Sequence, residues 1–399
     1  MRIGMMADSY KPYLSGVTNY ISLNKSVLEQ LGHEVFVFTF GEQDYADQEK
    51  NVIRSLGLPI VTQGFNLGVI YSPQAKALLR SMDIVHVHHP FISGRLAIRY
   101  CRPLSIPIVF TNHTRYDIYL QEYAPGIPQG WGNAFLQAFM PNFCRSVDLV
   151  IAPSAGMEKI MRQLGVESPI TVIPNGIDRE AFRSSAAPFQ RESFGFNDEN
   201  VILVYTGRVA PEKNLPLLLR AFAGVAQTYE QARLIIMGDG PAKEEMEQTS
   251  RDWGISQKVV FTGARPYAEV PAYMAMCDVF VTASVSEVHP LSVIEAMSVG
   301  LPVLGIDSPG VGDIIEDGVN GLLSSADVAA YAVKMAQLVS DSALRERLGQ
   351  AALTSSGKYA IDKTVEQVLN HYQRLVAGSK RRRRNLKTYL RSAWERYRR

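Results

Sequence analysis

The sequence predicts an α/β protein with two doubly wound parallel-sheet domains, each Rossmann-like, that face each other across a cleft. Three observations carry this prediction. Short apolar, β-branched runs alternate with helical patterns along the chain. This alternation occurs twice, on either side of a polar, turn-rich stretch at residues 183–200. At 399 residues the chain is also long enough for two domains with full cores.

The predicted strands are apolar runs separated by helical patterns that end at glycine or proline, such as NYISLNKSVLEQLG. In the first half these runs are RIGMMA, EVFVFTF, IVHVH, PIVFTNH and LVIAPS. In the second half they are VILVYTG, RLIIMG, KVVFTG, VFVTAS and PVLGI. We therefore predict a first domain at residues 1–182, a second at 183–378 and a tail at 379–399. The last helix of the second domain is a candidate to cross back to the first.

Composition and charge are those of an ordinary soluble globule with a basic end, at 46% hydrophobic and 20% charged residues. The chain has 41 Lys and Arg residues and 39 Asp and Glu residues. Residues 380–399 hold ten of the basic residues and one of the acidic ones, so the rest of the chain carries a net charge of −7. No apolar run reaches about 18 residues, which argues against a membrane-spanning helix, and no signal peptide is recognisable. The spacing of the three cysteines suits a reducing cytoplasm.

Two glutamates, Glu287 and Glu295, bracket the start of a predicted helix in SEVHPLSVIEAMSVGLPVLG. The run CDVFVTAS predicts a buried strand before them, and Pro290 suits the first helical position. The N-terminus of this helix suits a phosphate, and carboxylates on both sides can accept hydrogen bonds from hydroxyl groups. A nucleotide-sugar has this layout. The alternative is a pair of solvated glutamates on an ordinary strand–helix unit.

Two groups in the first half follow predicted strands. Gly16, in YLSGVTNY, lets a ligand approach the backbone at a helix N-terminus, although a plain tight turn is the alternative. His113, in TNHTRYDIY, could hydrogen-bond a sugar hydroxyl, or be a structural histidine bonded to the backbone.

The second half opens with two cations in TGRVAPEKN. The guanidinium of Arg208 can form paired hydrogen bonds, and the ammonium of Lys213 is a compact positive charge. Near the N-terminus of the following helix, the two suit a diphosphate. The alternative is two surface cations, one of them paired with Glu212. Gly238, in MGDGPAKEEM, could line the same cleft or only form a turn.

No metal or other cofactor is expected. The chain has no D-x-D pair that could hold a metal on the diphosphate. The run HVHHP holds three histidines, but an extended strand splits its side chains between two faces. We therefore favour packing and loop roles over a metal site for His86, His88 and His89.

Taken together and in order, these motifs resemble the GT-B glycosyltransferases of the retaining family 4. The matching segments are SGVTNY, NHT, PNGID, TGRVAPEKN, MGDGP and the E-x7-E pair, spread over roughly residues 1–370. Within the family, MRIGMMADSYKPYLSGVTNY and HVHHPFISGRLA are most similar to diacylglycerol glucosyltransferases. Phosphatidylinositol mannosyltransferases are the next nearest.

The resemblance implies an acceptor-side first domain and a donor-binding second domain. Arg208 and Lys213 would hold the diphosphate, Glu295 the ribose hydroxyls and Glu287 the hexose. Gly16 would approach the diphosphate, and His113 would touch the sugar near its C6 hydroxyl. Attack would come from the front face through an oxocarbenium-like state, with the leaving phosphate as base. The implied catalytic residues are His113, Arg208, Lys213 and Glu287; the implied donor-binding residues are Gly16, Arg208, Lys213, Gly238, Glu287, His289, Leu291 and Glu295.

Two positions depart from the family pattern, which commonly has an aromatic residue and then glycine after the first glutamate. Here they are His289 and Pro290. Proline removes an N–H that could bind phosphate and fixes the loop's φ. We hypothesise that His289 supplies a replacement donor.

The composition of the basic tail indicates which kind of acceptor the enzyme uses. Its apolar residues recur at helical spacing on one stripe, with Arg and Lys elsewhere, which is typical of a helix lying in a bilayer interface. A disordered or RNA-contacting tail is the alternative, but the acidic body argues against a nucleic-acid partner. The predicted membrane residues are Lys380, Arg381, Arg382, Arg383, Arg384 and Trp394.

The sequence thus predicts an enzyme that moves a hexose, glucose by preference, from UDP-glucose to a lipid such as 1,2-diacylglycerol. We expect it to be cytoplasmic and peripheral on the inner face of the cell membrane. The open alternatives are phosphatidylinositol, a soluble acceptor or a growing glycan with the same chemistry, and a binding module that has lost catalysis.

Overall fold

A computed structural model describes residues 1–13, 15–42, 44–60, 65–68, 70–123, 129–183 and 189–397. Within these ranges, side chains are described at all positions except 58–60, 65–67, 120–123, 129 and 380–397.

The first domain is a parallel sheet with helices on both faces. Its strands are β1 Arg2–Met6, β2 Glu34–Gly41, β3 Val52–Leu56, β4 Leu58–Ile60, β5 Phe65–Leu67, β6 Ile84–Val87, β7 Ile108–Thr111, β8 Leu149–Ala152 and β9 Ile170–Val172. Its helices are α1 Gly16–Gln30, α2 Pro73–Leu79, α3 Ser93–Tyr100, α4 Tyr116–Tyr123, α5 Gln129–Cys144 and α6 Ala155–Gln163. Within the described residues the sheet order is β3-β2-β1-β6-β7-β8-β9, and β4 and β5 form a separate antiparallel pair.

The second domain repeats this plan. Its strands are β10 Val201–Thr206, β11 Ala232–Met237, β12 Val259–Gly263, β13 Val279–Val281, β14 Val303–Ile306 and β15 Gly321–Ser324, in the order β12-β11-β10-β13-β14-β15. Its helices are α7 Arg179–Arg183, α8 Leu215–Thr228, α9 Lys243–Asp252, α10 Val270–Ala275, α11 Leu291–Val299, α12 Val328–Ser340, α13 Ser342–Ser355 and α14 Ile361–Tyr397.

The predicted fold class is confirmed, and all ten predicted strands are present. The prediction missed the short β4–β5 pair and three edge strands, β3 and β9 of the first sheet and β15 of the second. Strands β3 and β9 are only partly buried, since an edge strand has one neighbour, so neither has a continuous apolar run. Each sheet is buried on both faces by apolar side chains, which explains why its central strands are almost entirely apolar.

Residues just before the predicted boundary at 182 and 183 pack against the second domain. Ile177 and Phe182 are buried in the second domain's core, beside residues of α10 and α11. The N–H of Ile177 also bonds the carbonyl of Tyr359. Part of the predicted linker, residues 184–188, lies outside the described residues.

Helix α14 carries the chain back to the first domain. Val365, Val368, Tyr372 and Val376 lie on one face and are buried with β1 and α1 residues. The hydroxyl of Ser379 then donates to the carbonyl of Ser105, at the amino end of β7. The backbone helix continues past residue 379 to Tyr397, so the predicted tail starts inside a helix, at the amino ends of the first sheet's strands.

The two domains meet at the carboxyl ends of their strands. Val288, in the loop before α11, is buried in the first domain's core. Oδ2 of Asp313 accepts a 2.8 Å hydrogen bond from the N–H of Gly156, in the first turn of α6. A Cβ on Gly156 would lie 2.6 Å from that oxygen, so this approach requires glycine. The domains therefore close directly over the loops that hold the predicted site.

Candidate active site

Lys213 and Glu287 form an ion pair between two loops of the second domain. Nζ of Lys213 lies 2.7 Å from Oε1 of Glu287, and the two side chains are only 14% and 22% exposed. Lys213 ends a short 3-10 turn after β10, and Glu287 lies in the loop between β13 and α11. Burial alone would lower the pKa of Lys213, but Glu287, Tyr119 and Tyr205 outweigh it and the net pKa is raised. Lys213 therefore stays protonated, with two further N–H donors for another anion.

Arg208 reaches from the same loop to the first domain. Its Nη1 lies 3.5 Å from the hydroxyl of Tyr13, in the loop before α1. Its carbonyl accepts a 2.9 Å hydrogen bond from the buried hydroxyl of Tyr205, which fixes the backbone of the loop. Two cations, Arg208 and Lys213, are thus directed to the place where the domains meet.

Glycines allow the second domain's loops to pack at this place. Gly238 has φ +149°, and a Cβ on it would lie 1.8 Å from the carbonyl oxygen of Gly207. The two loops therefore touch backbone to backbone, which no other residue permits. Gly16 is the first residue of α1, after the N-cap Ser15, and no atom lies within 4 Å of the place a Cβ would take. It leaves open space at that helix N-terminus.

Glu295 lies within α11 and is 5% exposed. Its Oε1 accepts a 2.6 Å hydrogen bond from the hydroxyl of Tyr267, in a 3-10 turn before α10. Burial raises the pKa of Glu295 to about 7, against the lowering effect of that bond. The carboxyl group is thus held in place with one oxygen already engaged.

The stretch from His289 to Leu291 differs in one detail from the prediction. Pro290 is the N-cap of α11, and Leu291 is the first helical residue, so the position predicted for Pro290 is wrong by one. An N-cap proline at φ −68° still fits, because the N-cap N–H makes no intrahelical bond. The side chain of Leu291 is buried in the second core, so its contribution to a ligand would come from its backbone N–H.

His289 is buried, with 5% exposed. Its carbonyl accepts a 2.9 Å hydrogen bond from Asn175, and its ring meets Tyr359 edge to face with centroids 5.1 Å apart. Burial lowers the pKa of His289 to about 3, so the ring is neutral. Its Nδ1 is buried without a hydrogen-bond partner among the described residues.

His113 follows β7 and belongs to a cluster of rings tilted against one another. Its Nε2 lies 3.0 Å from Nδ1 of His88, and the ring of Tyr20 packs 4.6 Å away. His86 lies behind His88, with ring centroids 4.3 Å apart. Among the described residues, no group of three or more His, Cys, Asp and Glu side chains is arranged to hold a metal ion.

Two family profiles cover most of the chain. Residues 14–181 match "Glycosyltransferase Family 4", and residues 187–355 match "Glycosyl transferases group 1". The fold agrees, since the crystal structure of Anabaena Alr3699/HepE in complex with UDP and glucose superposes with a TM-score of 0.75. The alignment covers 94% of this chain and 99% of that one, at 19% identity. The chain belongs to the GT-B glycosyltransferases.

Several curated relatives of this glycosyltransferase are named for activities on lipids. An alpha-monoglucosyldiacylglycerol synthase from Streptococcus pneumoniae is 28% identical over 94% of this chain and 88% of its own length. A phosphatidyl-myo-inositol mannosyltransferase from Mycobacterium leprae is 25% identical over 95% and 99%. The similarity to both groups that the motifs predicted is confirmed.

The structure brings together most of the predicted site residues of this glycosyltransferase. Arg208, Lys213, Glu287 and Gly238 lie in adjacent loops of the second domain. Gly16 and His113 lie at the carboxyl ends of first-domain strands, linked through Tyr20 on α1. Their roles in binding and catalysis stay predictions.

Sequence reasoning missed several neighbours of these residues. No local motif marks Tyr267 as the partner of Glu295 or Asp313 as the partner of Gly156. None marks Tyr13 as the partner of Arg208 either. His88 was assigned a packing role, whereas its ring bonds a predicted site residue. Its place directly after β6, next to the strand that precedes His113, was the available signal, since the carboxyl ends of neighbouring parallel strands lie at one edge of the sheet.

The tail lies outside this site. The side chains of Lys380, Arg381, Arg382, Arg383, Arg384 and Trp394 are not among those described, and their membrane role stays a prediction. In the part of the chain that is described, no helix is both long enough and apolar enough to cross a bilayer.

Proposed function

We propose that this glycosyltransferase transfers glucose from UDP-glucose to the hydroxyl of 1,2-diacylglycerol with retention of configuration. The observation that carries the proposal is the largely buried Lys213–Glu287 pair, in loops of the second domain that also hold Arg208, which reaches Tyr13 of the first domain. This arrangement offers cations for a diphosphate and a carboxylate for sugar hydroxyls within one enclosed place.

In the proposed reaction the bond between the anomeric carbon and the diphosphate oxygen breaks first. Arg208 and Lys213 stabilise the negative charge that develops on the diphosphate, without a metal bound by side chains. The acceptor hydroxyl attacks the same face, and its proton passes to the leaving diphosphate. Glu287 is already held by Lys213 at 2.7 Å, which supports a role in hexose binding rather than covalent attack.

The lipid acceptor is supported by the relatives. The pneumococcal relative is named for glucosyldiacylglycerol synthesis, and its similarity extends over 94% of this chain. Phosphatidylinositol is the second candidate acceptor, favoured by the named activity of the mycobacterial relative. A nucleotide donor is supported by the UDP in the superposed Anabaena complex.

We further propose that residues 380–399 tether the enzyme to an anionic membrane surface. Ten Lys and Arg residues there can each contribute on the order of 1 kcal/mol near such a leaflet. The tail begins beside Ser105, at the amino ends of the strands, whereas the cleft lies at their carboxyl ends. The tail would therefore hold the enzyme at the surface without forming part of the donor site.

A donor and acceptor screen tests the function. The purified full-length protein is incubated with UDP- and GDP-sugars and liposomes that contain diacylglycerol or phosphatidylinositol. Product mass identifies the sugar and acceptor, and NMR gives the anomeric configuration. We expect α-glucosyldiacylglycerol from UDP-glucose, loss of product in Lys213→Ala, and full product in the exposed control Lys159→Ala. Product on soluble acceptors alone would overturn the lipid assignment.

Removal of residues 380–399 tests the tether separately. We expect the shortened enzyme to lose binding to anionic liposomes and to keep its hydrolysis of UDP-glucose. Liposome binding that survives the truncation would refute the tether.

A further inference from the structure

His88 is fully buried directly behind His113. Its exposed fraction is 0%, and its Nδ1 lies 3.0 Å from Nε2 of His113. The two residues meet because β6 and β7 are paired parallel neighbours, with His86 opposite Val109 in register. The chain therefore leaves both strands at the same edge of the sheet. The contact is therefore fixed by the sheet rather than by a mobile loop.

One of these two nitrogens carries the hydrogen, because a bond between neutral imidazoles needs one donor and one acceptor. Burial lowers the pKa of His88 and of His113 well below the usual value, so both rings are neutral. Each ring then holds a single N–H. The direction of the bond decides which nitrogen of His113 carries its hydrogen.

The surroundings of His88 decide that direction. Its Nε2 is buried without a partner among the described residues. His86, the ring behind it, is engaged at both nitrogens, by the hydroxyls of Thr111 and Tyr372. If His113 donated, His88 would carry its hydrogen on Nε2, as a buried N–H without an acceptor. Orphaned buried N–H groups are rarer than under-satisfied acceptors, so donation from Nδ1 of His88 is the favoured arrangement.

We propose that His88 is a positioning residue, which donates Nδ1–H to His113 and holds it in the tautomer that carries hydrogen on Nδ1. His113 then presents a fixed N–H donor to an oxygen of the transferred sugar. Tyr20 supports the geometry, since its ring packs 4.6 Å from His113 and 5.6 Å from His88. The sugar contact rests on the proposed function, whereas the tautomer does not.

Long-range ¹H–¹⁵N NMR of the full-length, histidine-labelled protein tests the tautomer without any substrate. His113→Gln assigns the signal of His113. We expect a protonated Nδ1 and a bare Nε2 in the wild type. The opposite tautomer would overturn the proposal, and this holds even if the protein transfers no sugar.

Three substitutions separate hydrogen bonding from packing. His88→Asn keeps an amide N–H near the place of Nδ1, His88→Gln puts its amide near Nε2, and His88→Leu has neither. We expect kcat to fall about 10- to 100-fold in the Leu and Gln variants, with mixed tautomers at His113. The Asn variant should recover most of the rate and the wild-type tautomer. Equal loss in Asn and Gln would show a packing role only, and this pair decides the matter if the Leu variant does not fold.

Discussion

The hydroxyl of Tyr267 donates a 2.6 Å hydrogen bond to Oε1 of Glu295, inside the second domain. Burial raises the pKa of Glu295 to about 7, while the bond from Tyr267 opposes the rise. An ionised carboxylate accepts hydrogen bonds at both oxygens, whereas the protonated form is itself a donor. The hydrogen-bonding capacity of Glu295 therefore changes near neutral pH, which bears on its predicted contact with ribose hydroxyls.

Binding of UDP-glucose should strengthen as pH rises through about 7. If only ionised Glu295 binds the ribose, affinity rises about tenfold between roughly pH 6 and pH 8. Titration calorimetry with the intact nucleotide-sugar measures this. Glu295→Gln should bind weakly and equally at every pH. Tyr267→Phe should move the midpoint to higher pH, because it removes the bond that lowers the pKa. A wild-type affinity that ignores pH would contradict the ribose role.

The same group should make folding stability depend on pH. The pKa of Glu295 rises from 4.5 to about 7 on folding, so the native state binds its proton more tightly. The free energy of unfolding therefore falls as pH rises through this window and is level above it. The loss for this one group is about 3 kcal/mol. Urea unfolding of wild type and Glu295→Gln at several pH values isolates this contribution. If the free energies of unfolding of the two proteins differ by the same amount at every pH, the pKa shift of Glu295 is refuted.

Removing one partner of the Lys213–Glu287 pair should destabilise the fold as well as the donor site. Both side chains are mostly buried, so Lys213→Met leaves a carboxylate, and Glu287→Gln leaves an ammonium, without its counter-charge. We expect the free energy of unfolding to fall by about 2 kcal/mol in each single variant. In the double variant Lys213→Met/Glu287→Gln it should fall by less than the sum of the two. Denaturant unfolding measures the coupling. Strictly additive losses would mean that the pair contributes no interaction energy.

The positions of the site's loops at strand ends could be predicted from the sequence, because the carboxyl ends of parallel strands lie at one edge of a sheet. Arg208, Lys213 and Glu287 each follow an apolar run, and a strand-end position is a local property. Their mutual contact followed from the strand order, in which β10 and β13 are neighbours. The fold class followed from the same alternation of patterns.

Contacts that depend on side-chain packing were beyond such reasoning. Tyr267 is distant from Glu295 in sequence, and its turn has no motif that predicts a partner. Phe182 is buried in the second core for a similar reason, since no local pattern around it indicates this contact. The crossing of helix α14 to the first domain was a candidate from the sequence, but the side chains of the first domain that its buried face contacts were not predicted.

Closure of the two domains should depend on Asp313. Its carboxylate accepts hydrogen bonds from Gly156, at 2.8 Å, and from Gly310, at 3.2 Å, so it joins α6 to the second domain. Asp313→Ala removes the acceptor, and Gly156→Ala places a Cβ where the domains touch. We expect both variants to show a larger radius of gyration by small-angle X-ray scattering, and a higher KM for the donor. Glu316→Ala, at an exposed position in the same segment, is the control. An unchanged radius of gyration in both Asp313→Ala and Gly156→Ala would rule out the contact between Asp313 and Gly156 as a determinant of closure.

His289 should contribute a nitrogen, rather than only a ring, to donor binding. The ring packs against Tyr359 and stays neutral, and its Nδ1 is buried without a partner among the described residues. His289→Phe keeps an aromatic ring against Tyr359 and removes the nitrogen, whereas His289→Ala removes both. If Nδ1 meets the donor, both variants raise the KM for UDP-glucose by about tenfold, as expected for one lost hydrogen bond to a charged group. A normal KM in the Phe variant with a raised KM in the Ala variant would assign His289 to packing, and unchanged kinetics in both would remove it from the site.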